Sequence, residues 1–444
     1  MSEPKRIVIL GGGFAGVTAA RRLERHFGRR ADVEVTLVDG ENFSLFTPLL
    51  PEVPSGSIQA KHIVYPLRAT LRRTAVRHAE VRAIDLDRRV VVTAHCPKCA
   101  EAPLPFDHLI LALGGGTHFF GLPGLSEHAR TMKSLADATA LHAHLIDRLE
   151  HADLVESSAA RRGLLTFVVA GGGFAGVETA AQVNDFVRQA RRYYPRVDAT
   201  EVRVVLVHSG PRVLPEVSEP LSAFALRELT RRGVEVLLDT RVAGCQGDRV
   251  TLSTGQVVPS HTLVWAAGVA AHPLLAALDV PKGPGGRVEV DACLRSVGRP
   301  EVWALGDCAA VPDLARGGVC PPTAQHALRQ GKLLADNIAA ALLGNEPTPF
   351  RYTPQGLMAG LGRRSAVAEV FGLRFSGFPA WWLWRTVYLM KLPGLERKVR
   401  VALDWTLDQF FPRDLVYLRP LHTTGGKAAP LLPPPVAATP GGRT

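Results

Sequence analysis

Two short apolar runs, RIVIL at residues 6–10 and TFVVA at Thr166–Ala170, each lead directly into the same heptapeptide, GGGFAGV, at residues 11–17 and 171–177. Each copy continues into an alanine-rich pattern, TAARRLER and ETAAQVNDF, whose apolar positions recur at helical spacing. The pattern therefore predicts strand, glycine turn and helix, twice, with an offset of 171 − 11 = 160 residues. About a hundred residues beyond each copy lies another apolar run ending in glycine, LILALGGG from Leu109 and LVWAAGV from Leu263. Two such units predict an α/β fold with two doubly wound, Rossmann-like domains, whose ligands lie beyond the carboxyl ends of parallel strands.

After the second unit, RVEVDACLRSVGRPEVWALGDCAAV and the helical pattern TAQHALRQGKLLADNIAAAL return the chain to its first domain. The expected division is residues 1–125 with 287–350, then 126–286, a C-terminal region 351–418 and a tail 419–444. The tail, rich in Pro, Gly and Ala, lacks the apolar periodicity that offsets ordering entropy and is expected to be disordered.

Composition narrows the class. The 444 residues are 46% hydrophobic and 21% charged, a globular balance, and no apolar run is as long as a spanning helix. MSEPKRIVIL has no signal-peptide pattern, so a cytoplasmic chain with reduced thiols is expected; six cysteines are too scattered for a secreted disulfide framework. A net charge of +11 attracts anionic partners, yet the arginine pairs are dispersed and no aromatic-interleaved nucleic-acid motif accompanies them. Nucleic acid is not an expected partner.

In the first turn, Gly11, Gly13 and Gly16 let backbone N–H groups and a positive helix end face a pyrophosphate. The second strand, VEVTLVD, ends on Asp39, 39 − 16 = 23 residues beyond Gly16, a position suited to a ribose hydroxyl. Gly171, Gly173 and Gly176 repeat the arrangement for a second dinucleotide. There the corresponding strand ends on His208 and Ser209 instead of an acid, which leaves the choice of NADH or NADPH open.

With these motifs, and with NFSLFTPLLPEVPSG, THFFGLPGLSEHARTMKSLADA, VWALGDCA and PPTAQHALRQGK, residues 5–418 resemble the type II NADH dehydrogenases, the non-proton-pumping NADH:quinone oxidoreductases. The resemblance implies that FAD occupies the first unit, around Gly11, Gly13, Phe14, Ala15 and Gly16, with Asp307 at its ribityl and phosphate portion and a backbone contact to adenine near Val81. It implies that NAD(P)H, bound at the second unit, reduces the flavin, which then reduces a quinone. Glu178 would carry a proton, or else be a carboxylate favoured near a helix N-terminus. Ala324, Gln325, Ala327 and Gln330 match the quinone-site motif, with Gln325 the main candidate, and Lys391 falls in another family segment, where snorkelling explains it equally well. No metal is implied.

Dithiol reductases on this fold carry Cys-x4-Cys on the helix after the first ribose-binding strand, where this chain has PLLPEVPSGS. Sulfide:quinone oxidoreductases need a cysteine in the second unit, and Gly171 to Ser209 contains none. The HCPKC pair, Cys96 and Cys99, reads chiefly as a reduced turn at a hairpin tip, with a metal half-site and a redox dithiol as alternatives. From Gly377 onward, Trp381, Trp382, Trp384 and Tyr388 mingle with Arg385, Lys391, Arg397, Lys398 and Arg400. This basic aromatic segment predicts peripheral docking on an anionic membrane surface, at the cytoplasmic face, or alternatively a homodimer contact or an ordinary packed helix.

Overall fold

The computed structural model describes residues 3–28 and 30–416; the predicted disordered tail lies outside the described residues. Two five-stranded parallel sheets carry the two units. The first runs, edge to edge, Val302–Ala304, His108–Leu111, Lys5–Leu10, Val33–Asp39 and Ala75–His78. The second runs Ala129–Thr131, Thr262–Trp265, Thr166–Ala170, Arg203–Val207 and Val234–Leu237. In both, the strand that precedes the glycine turn is central. Successive residues along it, Ile7 to Leu10 and Phe167 to Val169, are almost wholly buried, because each parallel sheet carries helices on one face and packs its other face against a three-stranded antiparallel sheet, from residues 80–105 in the first unit and 242–259 in the second. Strand 302–304 completes the first sheet after the chain has built the second, so the first domain is discontinuous in sequence.

Both glycine turns are forced by contact. A Cβ on Gly16 would lie 1.9 Å from the Gly11 carbonyl oxygen, and one on Gly176 would lie 1.8 Å from that of Gly171. Helices Phe14–Phe27 and Phe174–Ala190 can therefore start close against their strands only with glycine at these positions.

An antiparallel sheet of Gly356–Gly360, Ala366–Val370 and Leu373–Gly377 follows, then helices Phe378–Lys391 and Leu395–Phe410. Here three of the tryptophans follow the packed-helix alternative. Trp381, Trp384 and Trp405 are buried in one apolar cluster with Leu49 and Phe186, and Tyr388 packs against it. Residues 381, 384 and 388 share one helical face, which packs on the antiparallel sheet 356–377 and on Trp405 of helix 395–410, with Tyr388 reaching Phe46. Only Trp382 among these aromatics is exposed. Among the described residues no helix is long and apolar enough to cross a membrane.

A correction concerns Cys96 and Cys99, which are disulfide-bonded where a reduced turn was expected. The Cys99 N–H donates to the Cys96 carbonyl at 3.0 Å, and this turn brings the two Cα atoms to 5.0 Å, within disulfide reach. The pair does sit at the hairpin end between Val90–Ala94 and Ala102–Pro105.

Candidate functional site

Gly11 leaves strand 5–10 with φ +111°, and a Cβ on it would meet the Ala112 carbonyl at 2.2 Å, so the backbone is pinned against the neighbouring strand end. Gly13, with nothing within 4 Å of an added Cβ, opens helix 14–27 without a side-chain cap. The first N–H groups of that helix consequently have no side-chain acceptor and are available to an anion. They face a cavity of about 380 Å³ that is also lined by Phe14, Ala15, Asp39, Lys133, Asp307 and Ala324.

Asp39 accepts hydrogen bonds from the Gly12 N–H and, at 2.7 Å, from the Glu41 N–H. Burial pushes its carboxyl pKa up, and those two amides oppose the shift. Asp307 follows Gly306, whose φ of +71° suits glycine, and no N–H or O–H of the described residues donates to its carboxylate. Burial raises its pKa against the pull of Lys133 and Arg287. A carboxylate left without donors beside uncapped helix amides fits the ribityl and pyrophosphate portions of a flavin dinucleotide. Gln330, fully enclosed, accepts the Gly306 N–H at 2.8 Å, so it fixes the turn that presents Asp307.

The second turn copies this design with one changed atom set. Gly171, at φ +117°, abuts the Ala266 carbonyl as Gly11 abuts Ala112, and Gly173 again opens its helix uncapped. His208 takes the place of Asp39: its Nδ1 accepts the Gly172 N–H at 3.0 Å. That bond requires an unprotonated Nδ1, and burial lowers the pKa of the ring, with Glu216 opposing. The histidine is therefore neutral near pH 7.

Glu178, on the second turn of helix 174–190, is half-buried, and its Oε1 accepts the Gly360 N–H at 2.8 Å. Burial raises its pKa to about 8; the Gly360 amide opposes this and the nearby Glu52 adds to it. Glu52 is itself enclosed and raised, with Trp405 Nε1 donating to its Oε2 at 2.6 Å and Arg385 offsetting part of its charge. Tyr388 has its pKa raised by burial and then by Glu178. Edge-on ring contacts lead from Phe14 at the flavin-side cavity to Phe46 at 5.7 Å and from Phe46 to Tyr388 at 6.3 Å.

Gln325 meets the other end of the same strand. Its Nε2 donates to the Gly356 carbonyl at 2.8 Å, and its Oε1 accepts from the Tyr352 hydroxyl at 2.7 Å. Strand 356–360 thus touches Gln325 at its first residue and Glu178 at its last, roughly 13 Å of backbone apart. The amide still has one N–H and one lone pair beyond these protein bonds. Arg329 stacks on Tyr352 at 4.1 Å, and Lys391, at the end of helix 378–391, has its pKa lowered by burial and by Arg329. Lys391 and Val81 do not line the flavin-side cavity; Val81 pairs with Thr93 in an antiparallel ladder.

Sequence reasoning missed Lys133, Glu52 and Tyr388. Lys133 and Glu52 fall within the family segments THFFGLPGLSEHARTMKSLADA and NFSLFTPLLPEVPSG, and Tyr388 among the C-terminal aromatics, yet nothing in those patterns singles them out, and only the fold brings them to the site.

Residues 5–331 match the pyridine nucleotide-disulphide oxidoreductase family model, and residues 355–414 match the NDH2 C-terminal domain. A type II NADH:quinone oxidoreductase of Mycobacterium tuberculosis is 35% identical over 417 residues, covering 90% of this chain and 87% of that one. A demethylphylloquinone reductase of Synechocystis is 33% identical, covering 90% and 95%. Among solved structures, NDH2 from Plasmodium falciparum in complex with NADH superposes with a TM-score of 0.86 at 20% identity, over 94% of this chain and 100% of that one.

Proposed function

Because this chain belongs to the type II NADH:quinone oxidoreductase family, we propose that it oxidises NAD(P)H and reduces a quinone through FAD, without proton pumping. The observation that carries the reading is the strand 356–360, which joins Glu178 to Gln325; neither side chain lines the cavity at the uncapped turn of helix 14–27, but Ala324, next to Gln325, does. When bound, the flavin accepts a hydride equivalent from the nicotinamide and passes two electrons to the quinone.

The chain's own groups have distinct tasks in this proposal. Residues 1–125 with 287–350 hold the flavin, residues 126–286 hold the nicotinamide nucleotide, and the region after 351 closes the quinone side. Gly13 and Asp307 bind the pyrophosphate and ribityl portions. Asp39 fixes the Gly12 peptide and presents its remaining lone pairs to a ribose hydroxyl. Gln325 offers its free N–H to a carbonyl oxygen of the quinone. Glu178, protonated below about pH 8, supplies a proton to the reduced quinone. The enzyme works on the cytoplasmic face of an anionic membrane, where long-tailed quinones reside.

A disulfide-reducing or sulfide-oxidising role lacks a reactive thiol at the flavin-side cavity among the described residues. Cys308, next to Asp307, is enclosed, donates to the Leu111 and Leu305 carbonyls, and has its pKa pushed up to about 11 by burial. The deciding experiment is an anaerobic titration of the yellow protein with NADH and with NADPH, followed by a short-chain quinone. The flavin absorbance should bleach with nucleotide and return with quinone; bleaching without return would overturn the quinone reading.

A further inference from the structure

A second cavity, of about 530 Å³, lies on the far side of helix 174–190 from the glycine turn, and seven of its lining residues are arginines. They come from four separate parts of the chain. Arg188 and Arg192 belong to or follow helix 174–190, Arg231 and Arg232 end helix 219–231, Arg363 and Arg364 form the turn after strand 356–360, and Arg413 follows helix 395–410.

The ion pairs that hold these arginines involve three carboxylates. Arg232 binds Asp185 at 3.1 Å and Glu228 at 2.8 Å, Arg231 also binds Glu228, and Arg413 binds Asp408 at 2.8 Å in an almost sealed pair. Seven cations against three carboxylates leave a surplus of four positive charges. Arg363 spends its Nη2 on the Asp408 and Gln409 carbonyls at 3.1 and 2.9 Å, capping helix 395–410. Among the described residues, the buried Nε of Arg363 and Nη1 of Arg413 have no acceptor, although Arg413 is only 8% exposed. Crowding also shows at Arg188, whose pKa is lowered by burial and then by Arg191.

We propose that this cavity is a binding site for a phosphate-bearing ligand of at least two negative charges, either a phospholipid headgroup or a free polyphosphate. Guanidinium forks match phosphate oxygens bidentately, and the exposed Arg192 and Arg364 present theirs at the mouth of the cavity. The cavity holds far more than one phosphate group. Phe410 and Phe411, both exposed, directly follow the Gln409 carbonyl that Arg363 holds, so acyl chains would find an apolar surface beside the charged one. The inference is independent of the redox reading, since none of these arginines faces the flavin-side cavity or Glu178.

Calorimetric titration of the FAD-loaded enzyme with inorganic tripolyphosphate, in chloride buffer with excess NAD present, tests the site. The variant pair Arg192→Gln with Arg364→Gln removes two exposed charges at the mouth without touching the internal ion pairs. Arg88→Gln with Arg249→Gln removes two exposed charges elsewhere. One-to-one binding that weakens at least tenfold (about 1.4 kcal/mol) in the mouth variant and less than twofold in the other is expected. Absence of saturable binding, or equal weakening in both variants, would overturn the proposal. Dihexanoyl phosphatidic acid below its micelle concentration then assigns the source: displacement of tripolyphosphate points to a lipid headgroup, and retention points to a free polyphosphate.

Discussion

Glu178 and His208 sit on corresponding parts of one unit, yet burial acts on them with opposite consequences, keeping a carboxyl protonated and an imidazole neutral. For Glu178 the folded pKa of about 8 stands above the ordinary carboxyl value, so its contribution to stability is full below about pH 4.5 and is lost as pH rises through 8. Glu178→Gln keeps a neutral side chain throughout. Its melting temperature should therefore gain on the wild type between pH 4.5 and 8 and run parallel above. Turnover with quinone should fall about 100-fold in the variant, and the wild-type decline above pH 8 should disappear. A decline that persists unchanged in the variant assigns that limb to another group. At His208 the test is selectivity. A carboxylate there would repel a 2′-phosphate, so His208→Glu should move the ratio of kcat/KM values about tenfold towards NADH, some 1.4 kcal/mol of discrimination. An unchanged ratio gives the choice to Glu216 or another neighbour.

At the scale of elements, the two glycine turns are alike in contact and separate in ligand, which permits a paired prediction. Gly16→Ala and Gly176→Ala each place a methyl under 2 Å from a carbonyl oxygen, and relieving that overlap costs about 1–3 kcal/mol of helix displacement. Gly16→Ala should purify with less than half its flavin. Gly176→Ala should retain flavin and require at least tenfold more NADH for half-maximal flavin reduction in stopped flow. If both lose flavin equally, the assignment of the turns to different nucleotides fails. These turns were legible in the sequence because their cause is local: a strand, glycines at fixed spacing and a helix. The buried face of helix 378–391 was not, since Trp381 and Trp384 alternate with Trp382 and Arg385 in a pattern that suits an interface or a core equally well. Only the sheet 356–377 and helix 395–410 packed against them decide, and there Arg385 lies over Trp381 at 4.1 Å and Trp405 at 4.7 Å. The link between Gln325 and Glu178 was equally invisible, because it runs through glycine backbone in strand 356–360 and no side-chain motif announces it. The arginine cavity draws on residues from 188 to 413, so dispersed pairs in sequence become one charged site in space.

At the scale of the whole molecule, burial of the C-terminal tryptophans transfers the membrane prediction to a different surface. Leu395, Val399, Leu403 and Leu407 recur every fourth residue on helix 395–410 and are all at least half exposed, while Val401, Trp405 and Asp408 face inward. Phe410 and Phe411 extend the exposed apolar surface beyond the helix, and Trp382 and Met390 add to it from helix 378–391. Arg400 is exposed beside these aliphatics, pairing with Glu396, while the half-buried Arg397 and Lys398 flank them and donate to the Lys61 and Met390 carbonyls, so apolar area and positive charge lie on neighbouring surfaces. Burying a leucine side chain contributes about 1.5–3 kcal/mol, and each cation near an anionic surface about 1 kcal/mol. The apolar part therefore dominates, and salt should weaken vesicle binding without abolishing it. Leu403→Asp with Leu407→Asp removes two apolar side chains and places two negative charges against the membrane, while the inward face of the helix keeps its packing. Co-sedimentation with vesicles of anionic lipid should drop at least tenfold, while turnover with a soluble short-chain quinone stays within twofold of wild type. Turnover with a long-tailed quinone in those vesicles should fall in step with binding, because that substrate is reached only at the lipid surface. Undiminished sedimentation of the folded, flavin-loaded double variant would assign this stripe to a subunit interface, and analytical ultracentrifugation of the same sample would then show the variant dissociating where the wild type remains a dimer.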